Sequence, residues 1–283
     1  MIEFENVSFS YNPKFSNVLT EITLKIDKAE FVALVGKNGA GKTTLIKHIN
    51  GLLKPNSGIV KINNKDIAKE PISKMAAFVG FSFQNPNHQL FAQTVQKELE
   101  FGPKNLKIDE IEREKAISNL VELFNIKHLL ERSPYELSGG ERRLVSIASV
   151  LTMNQQILVL DEPTYGQDYR QKQRLGSFLK QLTEEGITVV IVSHDMDFIM
   201  DFVPRTIVLS RGEIVADGDT SSILSDKVIL EKTDLISPII LDLANTIHES
   251  NSAFPIVCKE DEVFDNILAL LTSKQSNKQE MKD

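Results

Sequence analysis

The run Gly36-Lys37-Asn38-Gly39-Ala40-Gly41-Lys42-Thr43 has the spacing G-x-x-x-x-G-K-[ST] of a loop that cradles phosphate. Glycines lack Cβ, so the backbone can turn tightly and aim several N–H groups at one anion. Lys42 is placed to reach β- and γ-phosphates, and the Thr43 hydroxyl is placed to ligate Mg²⁺. A helix running from Thr44 to Asn50 would add the positive end of its dipole at the same point. The chemistry these residues suit is the binding of a nucleoside triphosphate.

A second set of residues suits hydrolysis. Ile157-Leu158-Val159-Leu160-Asp161-Glu162 reads as a buried strand closing in two acids. Asp161 can hold Mg²⁺, directly or through water, and Glu162 can polarise an attacking water. Phosphoryl transfer is catalysed mostly by positioning and charge neutralisation, so acids of different role belong at a sheet's carboxyl edge. Alone, the pair fits a solvated strand end equally well. Leu137-Ser138-Gly139-Gly140-Glu141 precedes a helix expected from about Arg142. It offers a second anion site at a helix N-terminus, or a plain N-cap with Ser138 as acceptor.

The elements that must position these groups follow from periodicity. Phe31 to Val35, Ala77 to Phe83 and Ile187 to Ser193 are apolar runs of buried strands. Ile2 to Phe9 (Ile2, Phe4, Val7, Phe9) and Val18 to Ile26 (Leu19, Ile22, Leu24, Ile26) alternate as half-exposed antiparallel strands, joined through the turn Tyr11-Asn12-Pro13. Gly58 to Ile62 is a further strand, and Thr206–Leu209 with Glu213–Ala216 forms a hairpin-like pair. From about Val95 to Ser149 helical spacing dominates, with Ile111, Ile117, Leu120, Val121 and Phe124 assigned to one stripe. A helix follows the Asp-Glu strand and runs to Glu185, where Gly186 breaks it. After Gly218, Ile239, Ile240, Leu243 and Ile247 are assigned to one helix face, and Val263, Ile267, Leu268 and Leu271 to another. Residues 274 to 283 are polar and expected to be disordered. No internal repeat is visible.

Short apolar strands alternating with helices imply an α/β fold with a mostly parallel sheet. The chain has 283 residues, is 41% hydrophobic and 25% charged, and suits one large domain with an appendage. Its net charge of −7 disfavours a role in coating nucleic acid. The single cysteine, Cys258, excludes an intrachain disulfide, fits a reducing compartment and is expected to be a packed apolar residue rather than a nucleophile. The apolar runs are too short to span a bilayer, and the N-terminus opens on a strand pattern rather than a leader. A cytosolic protein, or one held at a membrane through partners, is expected.

In this order the motifs resemble the ATP-binding cassette (ABC) ATPases, members of the P-loop NTPases. The ordered set is Tyr11, the loop Gly36–Thr43, Gln84 after a strand, Leu137–Glu141 as signature, Asp161-Glu162 with Pro163-Thr164, Gly166-Gln167-Asp168 as D-loop, and His194 after a strand. The resemblance implies a cassette over 1–218 with a mixed, mostly parallel sheet, an antiparallel β-subdomain and a helical subdomain inserted at about 85–155. A small C-terminal helical extension over 219–272 would follow, with a tail over 273–283. It implies that Tyr11 stacks on adenine, with an ordinary strand-end tyrosine as the lesser alternative. It makes Gln84 a contact to Mg²⁺ and the attacking water, Glu162 the catalytic base and His194 a γ-phosphate contact. Two such domains would pair head to tail, with Ser138, Gly139, Gly140 and Asp168 of one facing ATP held by the other.

The sequence departs from the family pattern at Glu141, where glutamine is usual, and at Leu144 and Ser149, where arginines are common. The D-loop reads Tyr165-Gly166-Gln167-Asp168 rather than Ser-Ala-Leu-Asp. None of these removes Glu162 or His194, so an active enzyme is expected; unequal sites in a heterodimer are left open.

Within the family, Phe83 to Phe91 and Thr94-Val95 with Glu98 to Pro103 look like the energy-coupling factor transporter ATPases. Those import vitamins or cobalt and nickel ions. The likeness implies a second cassette as partner, a transmembrane coupling protein met through Gln84–Phe91, small membrane proteins that capture substrate, and a place on the cytoplasmic membrane face. A conventional importer ATPase is the first alternative. A soluble ABC clamp acting on nucleic acid or ribosomes is the second.

Overall fold

The computed structural model describes residues 1–12, 14–252, 254–255 and 262–270. Pro13, Cys258, Leu271 and the 274–283 tail, on which expectations were placed above, lie outside the described residues. The strands are β1 (Ile2–Phe9), β2 (Leu19–Ile26), β3 (Phe31–Val35), β4 (Ser57–Ile62), β5 (Lys65–Asp66), β6 (Val79–Ser82), β7 (Ile157–Asp161), β8 (Thr188–Val192), β9 (Arg205–Ser210) and β10 (Glu213–Asp219).

They form two sheets, β2-β1-β4-β5 and β10-β9-β3-β8-β7-β6. Every pairing in the first is antiparallel. In the second, β9, β3, β8, β7 and β6 run parallel and only β10 is reversed. The expected hairpin thus carries β9 as a full member of the main sheet, paired directly to β3.

All residues of β3, β7 and β8 are buried. Their alternate residues serve two cores. Ala33, Leu158, Leu160, Val189 and Ile191 face the helices, whereas Val32, Leu34, Val159, Val190 and Val192 face the antiparallel sheet. A sheet covered on both faces reads as unbroken apolar runs, which is why these strands show no polar alternation. In β1 and β2 the alternation is interrupted between Phe4 and Val7 and between Leu19 and Ile22. The left-handed residues Asn6 and Glu21 sit there as register shifts, and they return Val7 and Ile22 to the buried face.

The helices are α1 (Lys42–Ile49), α2 (Ile72–Met75), α3 (Val95–Asn105), α4 (Glu110–Leu123), α5 (Gly139–Leu151), α6 (Tyr169–Glu184), α7 (Met196–Phe202), α8 (Thr220–Ser225), α9 (Lys227–Thr233) and α10 (Ile239–Ser250), with one more over 262–270. On α4 and its cap, Ile117, Leu120, Val121 and Phe124 are buried as expected, but Ile111 is 77% exposed. At 100° per residue Ile111 points away from Leu120, so it does not share the stripe.

Ile223, Leu224 and Leu230 of α8 and α9 pack into the helix-side core of the main sheet. Ala244, Phe254 and Val263 form a small core of their own, with Ile240, Ile247, Ile267 and Leu270 packed against it. The assigned faces are therefore corrected: Ile239, Leu243 and Leu268 point outward, and Leu241 and Ala244 take the inner positions. Ile239 is the first residue of α10 and Leu243 lies one turn on, so a stripe drawn through them is rotated off the contact face. No helix among the described residues is long and apolar enough to cross a membrane.

Candidate nucleotide site at the carboxyl edge of the parallel sheet

β3 ends at Val35 and the chain turns at once through the glycine loop into α1. Gly36 has φ +146°, and a Cβ there would lie 2.1 Å from the Leu209 carbonyl oxygen, so glycine is required by conformation and by space. Gly41, at φ 105°, is the N-cap of α1, and no side chain caps that helix. Its first N–H groups are thus left for a ligand, the arrangement that binds anions. Lys42 is buried, and its Nζ donates to the carbonyls of Gly36 (2.6 Å) and Lys37 (3.1 Å). Burial pushes its pKa down, against the pull of Glu162 and Asp161.

The Thr43 hydroxyl donates to Asp161 Oδ2 across 3.4 Å, joining the loop to the end of β7. Burial raises the Asp161 pKa, opposed by Arg143, Thr43 and Lys42. Glu162 follows in the left-handed region at φ 54°. Burial first, and then the Asp161 charge, raise its pKa to about 7, while the His194 amide, Lys42 and Arg143 oppose. The His194 backbone N–H donates to Glu162 Oε2 (3.3 Å), and His194 Nε2 stands 3.5 Å from Oε1. Burial and Lys42 lower the His194 pKa, which favours a neutral ring.

These groups share one cavity of about 180 Å³. Asn38, Gly39, Gly41, Lys42, Thr43 and Thr44 form one wall, and Gln84, Asp161, Glu162 and His194 the other. Four strand ends at one sheet edge therefore meet where the sequence placed its candidates. Tyr11 stands beside this cavity, 61% exposed, with its Oη 3.1 Å from Thr44 Oγ1 and its ring edge-on to Phe9. Lys37 points outward to Asp234 at 3.0 Å, and Ala40 is buried in the core.

The signature segment lies elsewhere. α5 begins at Gly139 rather than near Arg142, so both glycines are helical. Ser138 caps it, accepting from the Glu141 N–H while Glu141 accepts from Ser138. A Cβ on Gly140 would come 3.1 Å from the Gly166 carbonyl, so the D-loop abuts this segment. Asp168 is the N-cap of α6, in a capping box with Gln171.

Of the buried polar residues, His48 and Arg143 were not singled out from the sequence, and Glu98 entered only as part of a longer stretch. His48 donates from Nδ1–H to the Thr44 carbonyl (2.8 Å) within α1. Glu98 accepts from the N–H groups of Phe91 (2.9 Å) and Ala92 (2.7 Å), holding the turn that exposes Phe91. Arg143 donates to the carbonyls of Phe83, Gln84, Asp161 and Glu162. Its signal was masked because Arg142-Arg143 reads as a solvated pair.

The donor set fits a triphosphate with a divalent cation. An uncapped helix start and a buried lysine suit phosphate, and a hydroxyl near a carboxylate suits a small hard cation that takes its other ligands from phosphate and water. No group of three or more His, Cys, Asp or Glu that could hold a metal occurs among the described residues. Fold and site together define a P-loop ATPase of cassette type.

A family described as ABC transporter matches residues 19–165. The energy-coupling factor transporter ATP-binding protein EcfA of Methanothermobacter thermautotrophicus is 38% identical, covering 96% of this chain and 88% of its own. EcfA2 of Caldanaerobacter subterraneus is 39% identical over 90% of this chain and 91% of its own. Among solved structures, cbiO1 of Clostridium perfringens, part of the ABC transporter complex cbiONQ, superposes with a TM-score of 0.71 at 32% identity, covering 86% of this chain and 98% of that one. A dimeric cassette in a post-hydrolysis state with ADP and Pi gives 0.71 at 28% identity, covering 78% and 99%. The chain belongs to the ABC transporter family, and it binds ATP.

Proposed function

We propose that this chain is the ATP-hydrolysing subunit of an energy-coupling factor type importer, energising uptake of a vitamin or transition-metal ion. The observation that carries the reading is the single cavity uniting Lys42, Thr43, Gln84, Asp161, Glu162 and His194. The relatives named for energy-coupling factor transporters, which match over most of the chain, support the subfamily.

Lys42 and the first N–H groups of α1 hold the β- and γ-phosphates. Thr43, Asp161 and Gln84 would hold Mg²⁺, which neutralises charge between the phosphates when bound. Glu162 takes the proton of the attacking water on its carboxylate. With a pKa near 7 it is a far better proton acceptor than an ordinary carboxylate. His194, neutral and beside Glu162, fixes that carboxylate and faces the γ-phosphate. Tyr11 presents an open ring for adenine. Residues 1–218 act as the cassette, 85–155 as its helical subdomain and 219–272 as an extension that helps hold a pair of cassettes.

A second cassette supplies its own Ser138, Gly139, Gly140 and Asp168 to the nucleotide. The Gln84–Phe91 segment meets a transmembrane coupling protein that works with small substrate-capture proteins, which places the chain on the cytoplasmic membrane face. Nucleic acid is no partner.

In the assembled transporter, Glu162→Gln is expected to keep ATP binding and to lose turnover by about 10²–10⁴-fold. Turnover at the wild-type rate would overturn the assignment. Mild-detergent capture of the chain from native membranes should bring one coupling protein, small capture proteins and a second cassette. Two large permease subunits would point instead to a conventional importer.

A further inference from the structure

Arg143 is 2% exposed, the one charged residue among the buried positions of a helix whose other buried residues are apolar or serine. A buried guanidinium is costly unless its N–H groups are well used. Here both Nη groups go to backbone, bridging two segments far apart in sequence, while Nε has no partner among the described residues. Its Nη1 donates to Phe83 and Gln84 in the loop after β6, and its Nη2 to Asp161 and Glu162 at the end of β7.

The last of these carbonyls belongs to a strained residue. A non-glycine residue held at φ 54° is strained and persists only where its surroundings over-determine it. The Glu162 peptide groups are pinned on both sides, by N–H to the Val192 carbonyl (2.8 Å) and by the carbonyl to Arg143 (2.6 Å). Gln89, from the segment that carries Phe91, reaches the same face of α5 at the Ser146 carbonyl and the Ser149 hydroxyl. One helix therefore touches the transporter-facing segment, the Gln84 loop and the catalytic strand end.

We propose that Arg143 is a positioning residue that holds Glu162 in its proton-accepting pose and ties that pose to the loop carrying Gln84. This rests on Glu162 acting as the base.

The test measures kcat and KM for ATP in the assembled transporter, with nucleotide binding and thermal unfolding alongside. Arg143→Gln is expected to keep KM within about threefold and to lower kcat about tenfold or more. Arg143→Lys keeps the charge but not the planar fork, and it is expected to recover part of kcat at constant KM. An Arg143→Gln enzyme with wild-type kcat, or one whose loss falls on KM rather than kcat, overturns the proposal. Should that variant fail to fold, Arg143→Lys decides: a partial kcat loss at constant KM supports the role, and a wild-type kcat overturns it. Glu162→Gln run in parallel separates the two ideas, because its turnover at the wild-type rate would remove the base itself.

Discussion

Two glycine segments lead into helices in this chain, Gly36–Gly41 before α1 and Gly139-Gly140 at the start of α5, and their helix ends are finished in opposite ways. α1 begins without a side-chain cap and with a buried lysine folded against its loop. α5 begins in a reciprocal capping box that satisfies its own first N–H groups. The first leaves its donors open to an anion within one chain, whereas the second is closed on itself and carries the negative Glu141. A glycine-rich helix start is therefore a site only where the fold leaves its donors unspent. In the proposed pair, the second loop gains a ligand only from the partner's nucleotide.

The largest expected contrast is steric. Gly36→Ala should destabilise the chain by about 3 kcal/mol or more, since the Cβ meets the Leu209 carbonyl at an unfavourable φ. Gly139→Ala meets nothing within 4 Å and should change stability by less than about 1 kcal/mol. Denaturant unfolding measures both, and equal losses would break the comparison.

The carboxylates beside the two loops should respond oppositely to pH. Burial raises the Glu162 pKa from its ordinary 4.5 to about 7, so the folded state holds its proton more tightly. Its contribution to stability is full below about 4.5 and is lost as pH rises through about 7. The advantage of Glu162→Gln over wild type should thus grow by on the order of 2–3 kcal/mol between pH 5 and 8. Glu141, whose pKa the Ser138 hydrogen bonds lower, should show no alkaline gain on conversion to Gln. Unfolding followed across that range tests the pair.

Lys42→Ala should weaken ATP binding by the isolated chain about 10–100-fold, as expected for lost hydrogen bonds to a charged group. Ser138→Ala should leave that affinity within about twofold and cost roughly 0.5–2 kcal/mol of stability through the lost cap. Calorimetric titration and thermal unfolding separate the two effects. The smallest change is expected from Glu141→Gln, which keeps the capping box and removes a negative charge from the face offered to the partner's phosphate. Turnover of the assembled transporter should rise by up to about fivefold, corresponding to about 1 kcal/mol or less. A fall would show that Glu141 does more than stand in for glutamine.

Most of the cavity wall formed by Gln84, Asp161, Glu162 and His194 was legible because it is local. A buried strand must end where its apolar run ends, so Val35, Asp161 and Val192 mark the sheet's carboxyl edge in sequence as well as in space. The stripes were less legible. Ile111, Ile239, Leu243 and Leu268 are apolar residues that stay exposed in the fold, and apolar character alone does not say which face is covered. Arg143 was invisible because its partners lie up to 60 residues away and are backbone carbonyls, which any residue supplies.

The sequence by itself determined the phosphate loop, the order of its partner motifs and the alternation of strands and helices. Each of these depends on residues adjacent in the chain, whose periodicity and backbone freedom act before any packing. Only the tertiary structure decided that Glu162 is raised to about 7, that α5 caps itself, and that Arg143 binds the Gln84 loop to the strand end. Burial, charge and hydrogen bonding between distant segments exist only once the two sheets and their helices have closed around them.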